Sequence, residues 1–227
     1  MTAVSVAVAG EDLELLAERA VYWRREHTLL VADPHFGKAA AFRAQGVLVP
    51  RGTTAENLRR LDTALERTGA RRLIFLGDFL HARESRAPET LGTLNAWRAA
   101  RTHLDVVLVR GNHDARAGDP PPELNVRCVD APFIEAPFVL AHHPRPSDSG
   151  YVLAGHIHPG VRLRGAARQS AWLPGFWFGE RVGVLPAFGE FTGLADVDVA
   201  ESDRVFVVAE NQVIDVSASI TSGRASP

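Results

Sequence analysis

The sequence predicts an α/β protein. Its first half builds a parallel sheet, and its second half builds another sheet that packs on the first. Three observations carry this. Short, continuous runs of apolar and β-branched residues recur along the chain, as in strands covered on both faces. Two helical segments separate the early runs, and strand–helix alternation implies parallel pairing. After Pro120-Pro121-Pro122 helical signals fade and strands dominate.

In order, the runs are VSVAV (4–8), TLLVA (28–32), RLIFLG (72–77), DVVLVR (105–110), FVLA (138–141), YVLAG (151–155), VGVLP (182–186) and VFVVA (205–209). The first helix is predicted over 53–69, with Thr53 and Glu56 spaced as a capping box. Leu58, Leu61 and Leu65 form its apolar stripe, and Gly69 suits its C-terminal cap. The second is predicted over 88–103: Pro88 is pre-set for a first turn, and Leu91, Leu94 and Trp97 share a face. No linker-like composition and no repeat divides the chain. Residues 1–216 therefore read as one domain, and the small, polar tail SASITSGRASP (217–227) as disordered.

Composition sets the bounds. The chain has 227 residues, 46% of them apolar, enough for a substantial core. A formal net charge of −2 gives no global basic field to gather nucleic acid, so such a substrate has to be held by local contacts. Lys38 is the only lysine among many arginines. Cys128 is the only cysteine, which rules out an intramolecular disulfide and fits a reducing compartment. It lies in NVRCVDAP, which reads as a strand, where a small buried hydrophobe is expected. The N-terminal apolar run lacks a positive flank and soon meets Glu11 and Asp12, unlike a signal peptide. No stretch approaches the ~20 apolar residues of a membrane span. The expectation is a cytoplasmic protein without a membrane partner; oligomeric state is not legible.

The chemistry sits where strands stop. TLLVA runs into Asp33-Pro34-His35, RLIFL into Gly77-Asp78, and DVVLVR into Gly111-Asn112-His113-Asp114. FVLA runs into His142-His143-Pro144, and YVLA into Gly155-His156-Ile157-His158. In a parallel α/β sheet ligand sites lie outside the carboxyl ends of the strands. Residues two apart in extended backbone project the same way, so Asp33 with His35, and His156 with His158, can each reach one cleft. The glycines at 77, 111 and 155 permit close backbone approach. Asp33, His35, Asp78, Asn112, His142, His156 and His158 are too many donors for one zinc-like site. They suit two ions that share Asp78 as a bridge. Imidazole, carboxylate and amide oxygen without thiolate favour Mn²⁺, with Fe, Zn²⁺ or Ni²⁺ as alternatives.

The ordered set DPH, GD, GNHD, HH and GHIH resembles the calcineurin-like metallophosphoesterase superfamily over roughly residues 27–190. The resemblance implies a four-layer α/β/β/α sandwich of two mixed sheets flanked by helices. It implies one metal on Asp33, His35, Asp78 and His158, and a second on Asp78, Asn112, His142 and His156. His113 becomes the group that protonates the leaving oxygen or contacts phosphate, and Asp114 the carboxylate that orients it. Lys38, His81, Arg110 and His143 are further candidates for touching substrate. The stretches ADPHFGKAAAFRAQGVLVP, LGDFLH and LPGFWFGERVGVLPAFGEFTG are similar to the bacterial DNA ligase-associated, PdeM-type members. Those imply a DNA endonuclease or phosphodiesterase with ligase-pathway partners. Proline replaces their common leucine inside DxH, and HHP stands where HEP or HGH also occur. The alternatives are a phosphomonoesterase, a nucleotide or cyclic-nucleotide phosphodiesterase of the same fold, and a non-catalytic scaffold. Trp172, Phe176, Trp177 and Phe178 are candidates for stacking on bases or for packing.

Overall fold

A computed structural model describes residues 3–164 and 170–222. Seven strands form the first sheet in the order of the chain: β1 (Val4–Val8), β2 (Glu11–Leu16), β3 (Ala20–Trp23), β4 (Thr28–Val31), β5 (Arg72–Leu76), β6 (Asp105–Val109) and β7 (Arg127–Val129). The strands β4 to β7 pair in parallel, as the strand–helix alternation predicts. The first four strands form an antiparallel meander. Of these, β2 and β3 were not foreseen. In EDLELL acidic residues alternate with Leu13 and Leu15, which are fully buried on the inner face, while Asp12 and Glu14 share the other face with the buried Leu16.

The second sheet contains β8 (Phe133–Glu135), β9 (Phe138–Leu140), β10 (Tyr151–Ala154), β11 (Pro159–Arg164), β12 (Ser170–Phe178), β13 (Val182–Val184), β14 (Ala195–Asp196), β15 (Arg204–Ala209) and β16 (Gln212–Asp215). Its order is β14-β11-β12-β13-β10-β9-β8, with β15 also on β12 and β16 on β15. The strands β9, β10 and β13 are parallel neighbours, so their carboxyl ends point one way. Both sheets are mixed and helices flank them, the α/β architecture expected.

Helices α1 (Lys38–Ala44), α2 (Thr53–Thr68), α3 (Pro88–Ala99) and α4 (Asp114–Ala117) follow strands of the first sheet. Leu58, Leu61 and Leu94 are buried against that sheet's outer face, together with Leu29, Leu73 and Leu108. The predicted capping box of α2 does not form. Gly52, in a left-handed conformation, is the N-cap, so Thr53 already lies inside the helix. Glu56 instead pairs with Arg59, and Thr54 Oγ1 accepts the amide of Gly37. Gly69 does close the helix, with φ 62°. On the outer face of the second sheet, α5 (Ser217–Ser222) puts Ile220 against Val161, Val205 and Val207. The tail expected to be disordered thus contains a short helix, and residues 223–227 lie outside the described residues. Among the described residues no helix is long and apolar enough to cross a membrane.

The inner faces of the two sheets meet in one apolar core. Leu30, Ile74 and Val107 come from the first sheet, and Phe138, Leu153, Phe176 and Phe206 from the second. Phe138 meets Trp23 edge to face at 4.9 Å, and both are buried. This layer fixes how the two sets of strand ends face each other. Phe138→Ala, which leaves a cavity there, is expected to lower the unfolding free energy in urea by about 3–5 kcal/mol. A loss below about 1 kcal/mol would mean that the sheets are joined elsewhere.

Candidate metal centre

All five predicted strand ends converge at one edge of the two-sheet seam. Backbone hydrogen bonds stitch them together there. Phe188 and Gly189 donate to the carbonyls of Ala32 and Asp33 at 2.8 and 3.0 Å, Leu185 to Ala154 at 2.8 Å, and Gly155 to His142 at 3.2 Å. The paired residues do not lie in extended backbone as their spacing predicts. Asp33, His35, Asp78, His156 and His158 all have positive φ, from 44° to 71°. Each is a left-handed kink that costs a non-glycine residue on the order of 1–3 kcal/mol. The chain turns sharply at each strand end, and these turns aim the side chains inward. Gly77 needs its freedom for the same reason: φ is 86°, and a Cβ would come within 2.2 Å of His142 Nδ1.

The donors gather in adjoining groups. Asp33, His35 and His158 each place a ligand atom within 4.8 Å of the others'. His142, His143 and His156 do the same, and Asp33, Asp78 and His142 connect the two. Asp78 Oδ2 lies 3.8 Å from His35 Nε2, and its Oδ1 lies 3.4 Å from His142 Nε2. It therefore stands between the groups, where a bridging carboxylate is expected. His156 and His158 fall into different groups. Asn112 Oδ1 is 2.8 Å from His142 Nε2, and His156 Nδ1 is 3.1 Å from it. The imidazole of His143 lies 4.1 Å from that of His156, centroid to centroid, so it is a neighbour of the second group.

This donor set fits divalent cations. His142 Nδ1 is within 3.0 Å of the Leu76 carbonyl, which keeps the proton on Nδ1 and leaves the lone pair of Nε2 facing Asn112 Oδ1. Two lone pairs at that distance repel unless a cation lies between them. Asp33 Oδ1, His35 Nδ1 and His158 Nε2 are buried without a hydrogen-bond partner. Burial, and then the charge of Asp78, pushes the Asp33 carboxyl well above the usual carboxylate range. Burial first, and then Lys38, holds His35 far below its ordinary value and His158 at about 4. Burial also lowers His142. The imidazoles are thus neutral with lone pairs free, and two carboxylates share one buried space. A cation relieves both conditions.

The remaining sequence candidates divide. His113 Nε2 lies 3.8 Å from Asp78 Oδ2 at the cleft. Asp114 does not orient it. The Asp114 carboxylate accepts the amides of Asp78, Phe79 and Gly111 at 2.8–2.9 Å, because it sits buried under that turn. The carbonyl oxygen of His81 takes the orienting role, at 2.6 Å from His113 Nδ1. The His81 ring stacks on His113 with centroids 4.8 Å apart, and burial, then Lys38, brings it to about 4. Lys38 is half-buried in the cleft, lowered by burial and supported by Asp33 and Asp78. Arg110 is withdrawn from substrate binding, because its fork is filled by Asp119 and Asp130 at 2.8 Å.

Sequence reading missed the carbonyls that orient imidazoles, at Leu76, His81 and Gly193, since every residue has one. It also missed Arg60. From α2 it bonds the Phe188 carbonyl and Glu190, and its guanidinium carbon lies 4.5 Å from the centre of the Phe188 ring. It thereby anchors the segment that is bonded to Ala32, Asp33 and His158.

The chain belongs to the calcineurin-like phosphoesterase family, whose model matches residues 27–158. It is therefore a metal-dependent phosphoesterase, a hydrolase. Nuclease MPE of Pseudomonas putida is 42% identical in sequence, with a TM-score of 0.82 over 94% of this chain and 100% of that one. A protein of unknown function from Aquifex aeolicus is 18% identical, with a TM-score of 0.40 over 58% of this chain and 78% of that one. Yfce, a phosphoesterase from E. coli, is 17% identical, with a TM-score of 0.38 over 82% of this chain and 96% of that one. No curated protein matches the sequence.

Protons compete with metal at such a centre. The raised Asp33 stabilises the metal-free fold in acid and loses that contribution as pH rises through its folded value. The lowered imidazoles act oppositely, their contribution being lost as pH falls through their folded values. Deprotonation of either type favours the metal. His158, at about 4, and His35, lower still, are already neutral in mild acid. Above that range the raised Asp33 carboxyl is the group that must lose its proton. The gain in Tm from saturating Mn²⁺ is therefore expected to grow as pH rises from the ordinary carboxylate range through the raised value of Asp33. A gain independent of pH would contradict coordination by these groups.

Proposed function

We propose that the chain is a dinuclear metal-dependent phosphodiesterase that hydrolyses phosphodiester bonds of DNA, acting as an endonuclease or phosphodiesterase linked to ligation or damage response. The observation that carries this reading is the pair of donor groups joined at Asp78, with the His113 ring beside them. One ion would be held by Asp33, His35, Asp78 and His158, the other by Asp78, Asn112, His142 and His156. Mn²⁺ suits the share of oxygen donors best, with Fe, Zn²⁺ or Ni²⁺ as alternatives. The nuclease match at 42% identity supports a nucleic-acid diester. The ligase link rests on the resemblance in residues 32–50 and 173–193.

When bound, the ions supply Lewis acidity, charge neutralisation and an activated water. The chain supplies the rest. Asp78, buried and fixed by the His113 amide at 2.9 Å, sets the spacing of the two groups. The His81 carbonyl keeps one proton on His113 Nδ1, so the second proton of the imidazolium sits on Nε2, facing the cleft. From there it passes to the departing oxygen, which makes His113 the general acid. Lys38 and His81, on the same side, bind a non-bridging phosphate oxygen or its neighbour. His143 at the opposite rim meets the strand as it leaves. Positioning and charge dominate phosphoryl transfer, so these contacts matter more than any single proton.

His113→Ala is expected to retain both metals and to lose about 10²–10⁴ in turnover on a DNA diester. Bis-p-nitrophenyl phosphate, whose leaving group needs no proton, should lose far less. Steady-state rates on both substrates decide this, and equal losses would remove His113 from the general-acid role. Activity confined to p-nitrophenyl phosphate would replace the diesterase reading with a phosphomonoesterase.

A further inference from the structure

Beside the metal centre lie aromatic rings that the fold leaves uncovered. Phe191 is 48% exposed and holds φ at 58°, a conformation costly for a bulky residue. Its loop is tied to the centre: the Gly193 carbonyl is 3.2 Å from His158 Nδ1, and the Ala195 amide donates to the His158 carbonyl at 3.0 Å. Trp172 is 43% exposed. It sits opposite Arg162 in the β11–β12 pair, whose guanidinium carbon is 5.2 Å from the ring centre. The indole packs close to Gly160, where a Cβ would come within 2.5 Å of Nε1 and 2.7 Å of Leu194 Cβ. Gly160 is two residues beyond His158, and Leu194 follows Gly193. Leu194 and Trp172 therefore meet at Gly160, next to His158, and Phe191 lies on the same loop as Leu194. The other aromatic residues of LPGFWF serve the fold. Phe176 and Phe178 are buried in the inter-sheet core, and Trp177 Nε1 donates to Asp203 at 2.8 Å.

We propose that Phe191 and Trp172, with Arg162 on the indole, form a stacking platform for unpaired nucleobases next to the scissile phosphodiester. The inference deepens the phosphodiesterase reading and rests on it for where that phosphodiester lies. A chain of net charge −2 has no broad basic field for a polynucleotide, so affinity comes from local contacts. Aromatic faces stack on any base. A guanidinium lying on an indole keeps its charge available for the next phosphate along the strand. Bases paired within a duplex are closed to such a platform, which makes unpaired bases the occupant. The strained backbone at Phe191 is then the cost of presenting a ring where glycine would suit the chain better.

The test is equilibrium binding to the metal-loaded protein by fluorescence anisotropy. The probes are a phosphorothioate thymidine oligomer, which resists cleavage, and an abasic oligomer of the same backbone. Trp172→Ala and Phe191→Ala are each expected to weaken thymidine-oligomer binding roughly tenfold, while abasic-oligomer binding stays at the wild-type level. Phe191→Gly should show the same loss with a Tm no lower than wild type, because glycine accepts the positive φ. Wild-type protein that binds the two oligomers equally, or variants that keep the wild-type Kd, would overturn the platform. Hydrolysis of bis-p-nitrophenyl phosphate by the wild type tests the underlying reading separately. If that hydrolysis is absent while the variants lose thymidine binding, the diesterase assignment fails and the platform stands. If it is present while binding is unaltered, the reverse holds.

Discussion

Two carboxylates, Asp33 and Asp78, are buried within reach of each other at the edge of the inter-sheet seam, ringed by imidazoles that burial keeps neutral. Without a cation this arrangement is costly, since like charges share a space from which water is excluded. The rest of the molecule is organised to hold it. Aromatic packing between the sheets sets the distance between their strand ends. Left-handed kinks at the ends turn the donors inward. Carbonyls from Leu76, His81 and Gly193 fix the rings of His142, His113 and His158. The strain at the five kinked residues is sustained because the surrounding backbone is hydrogen-bonded across the seam.

Much of this was legible in the sequence, for a physical reason. Parallel strands buried on both faces must be continuously apolar, so the polar residues that interrupt them at their carboxyl ends stand out. That contrast exposed Asp33, His35, Asp78, Asn112, His113, His142, His156 and His158 together with the sheet that carries them. The glycines at 77, 111 and 155 were legible because a Cβ at each would strike a donor side chain. What escaped has no residue-type signal. The strand β2 mixes acidic and apolar residues, and β3 is only four residues long, too short a buried run to stand out. The backbone carbonyls that orient the imidazoles belong to residues of any kind. Asp114 looked like a partner for His113 because it is adjacent in sequence. Its helical turn instead points the carboxylate under the backbone of Asp78, where three amides claim it. Arg110 looked available for phosphate until Asp119 and Asp130, distant in sequence or on a loop, closed around it.

The surface around the centre is asymmetric. On one side Lys38, His81 and His113 gather positive or proton-bearing groups beside Asp78. On the other the loop 189–195 and the β11–β12 pair meet next to His158 and carry Phe191 and Trp172. The candidate metal donors lie between these two sides. The Arg60 anchor ties that loop to α2, and the Gly193 carbonyl ties it to the His158 imidazole.

The central claim is that Asp78 joins two metal positions. The most direct measurement is metal content per chain by elemental analysis after Mn²⁺ loading and removal of excess, for wild type and Asp78→Asn, with Tm as a check on folding. We expect two ions per wild-type chain and at most one in a folded Asp78→Asn variant. A folded variant that keeps two ions, or a wild type that holds only one, would contradict the bridge and the dinuclear chemistry built on it.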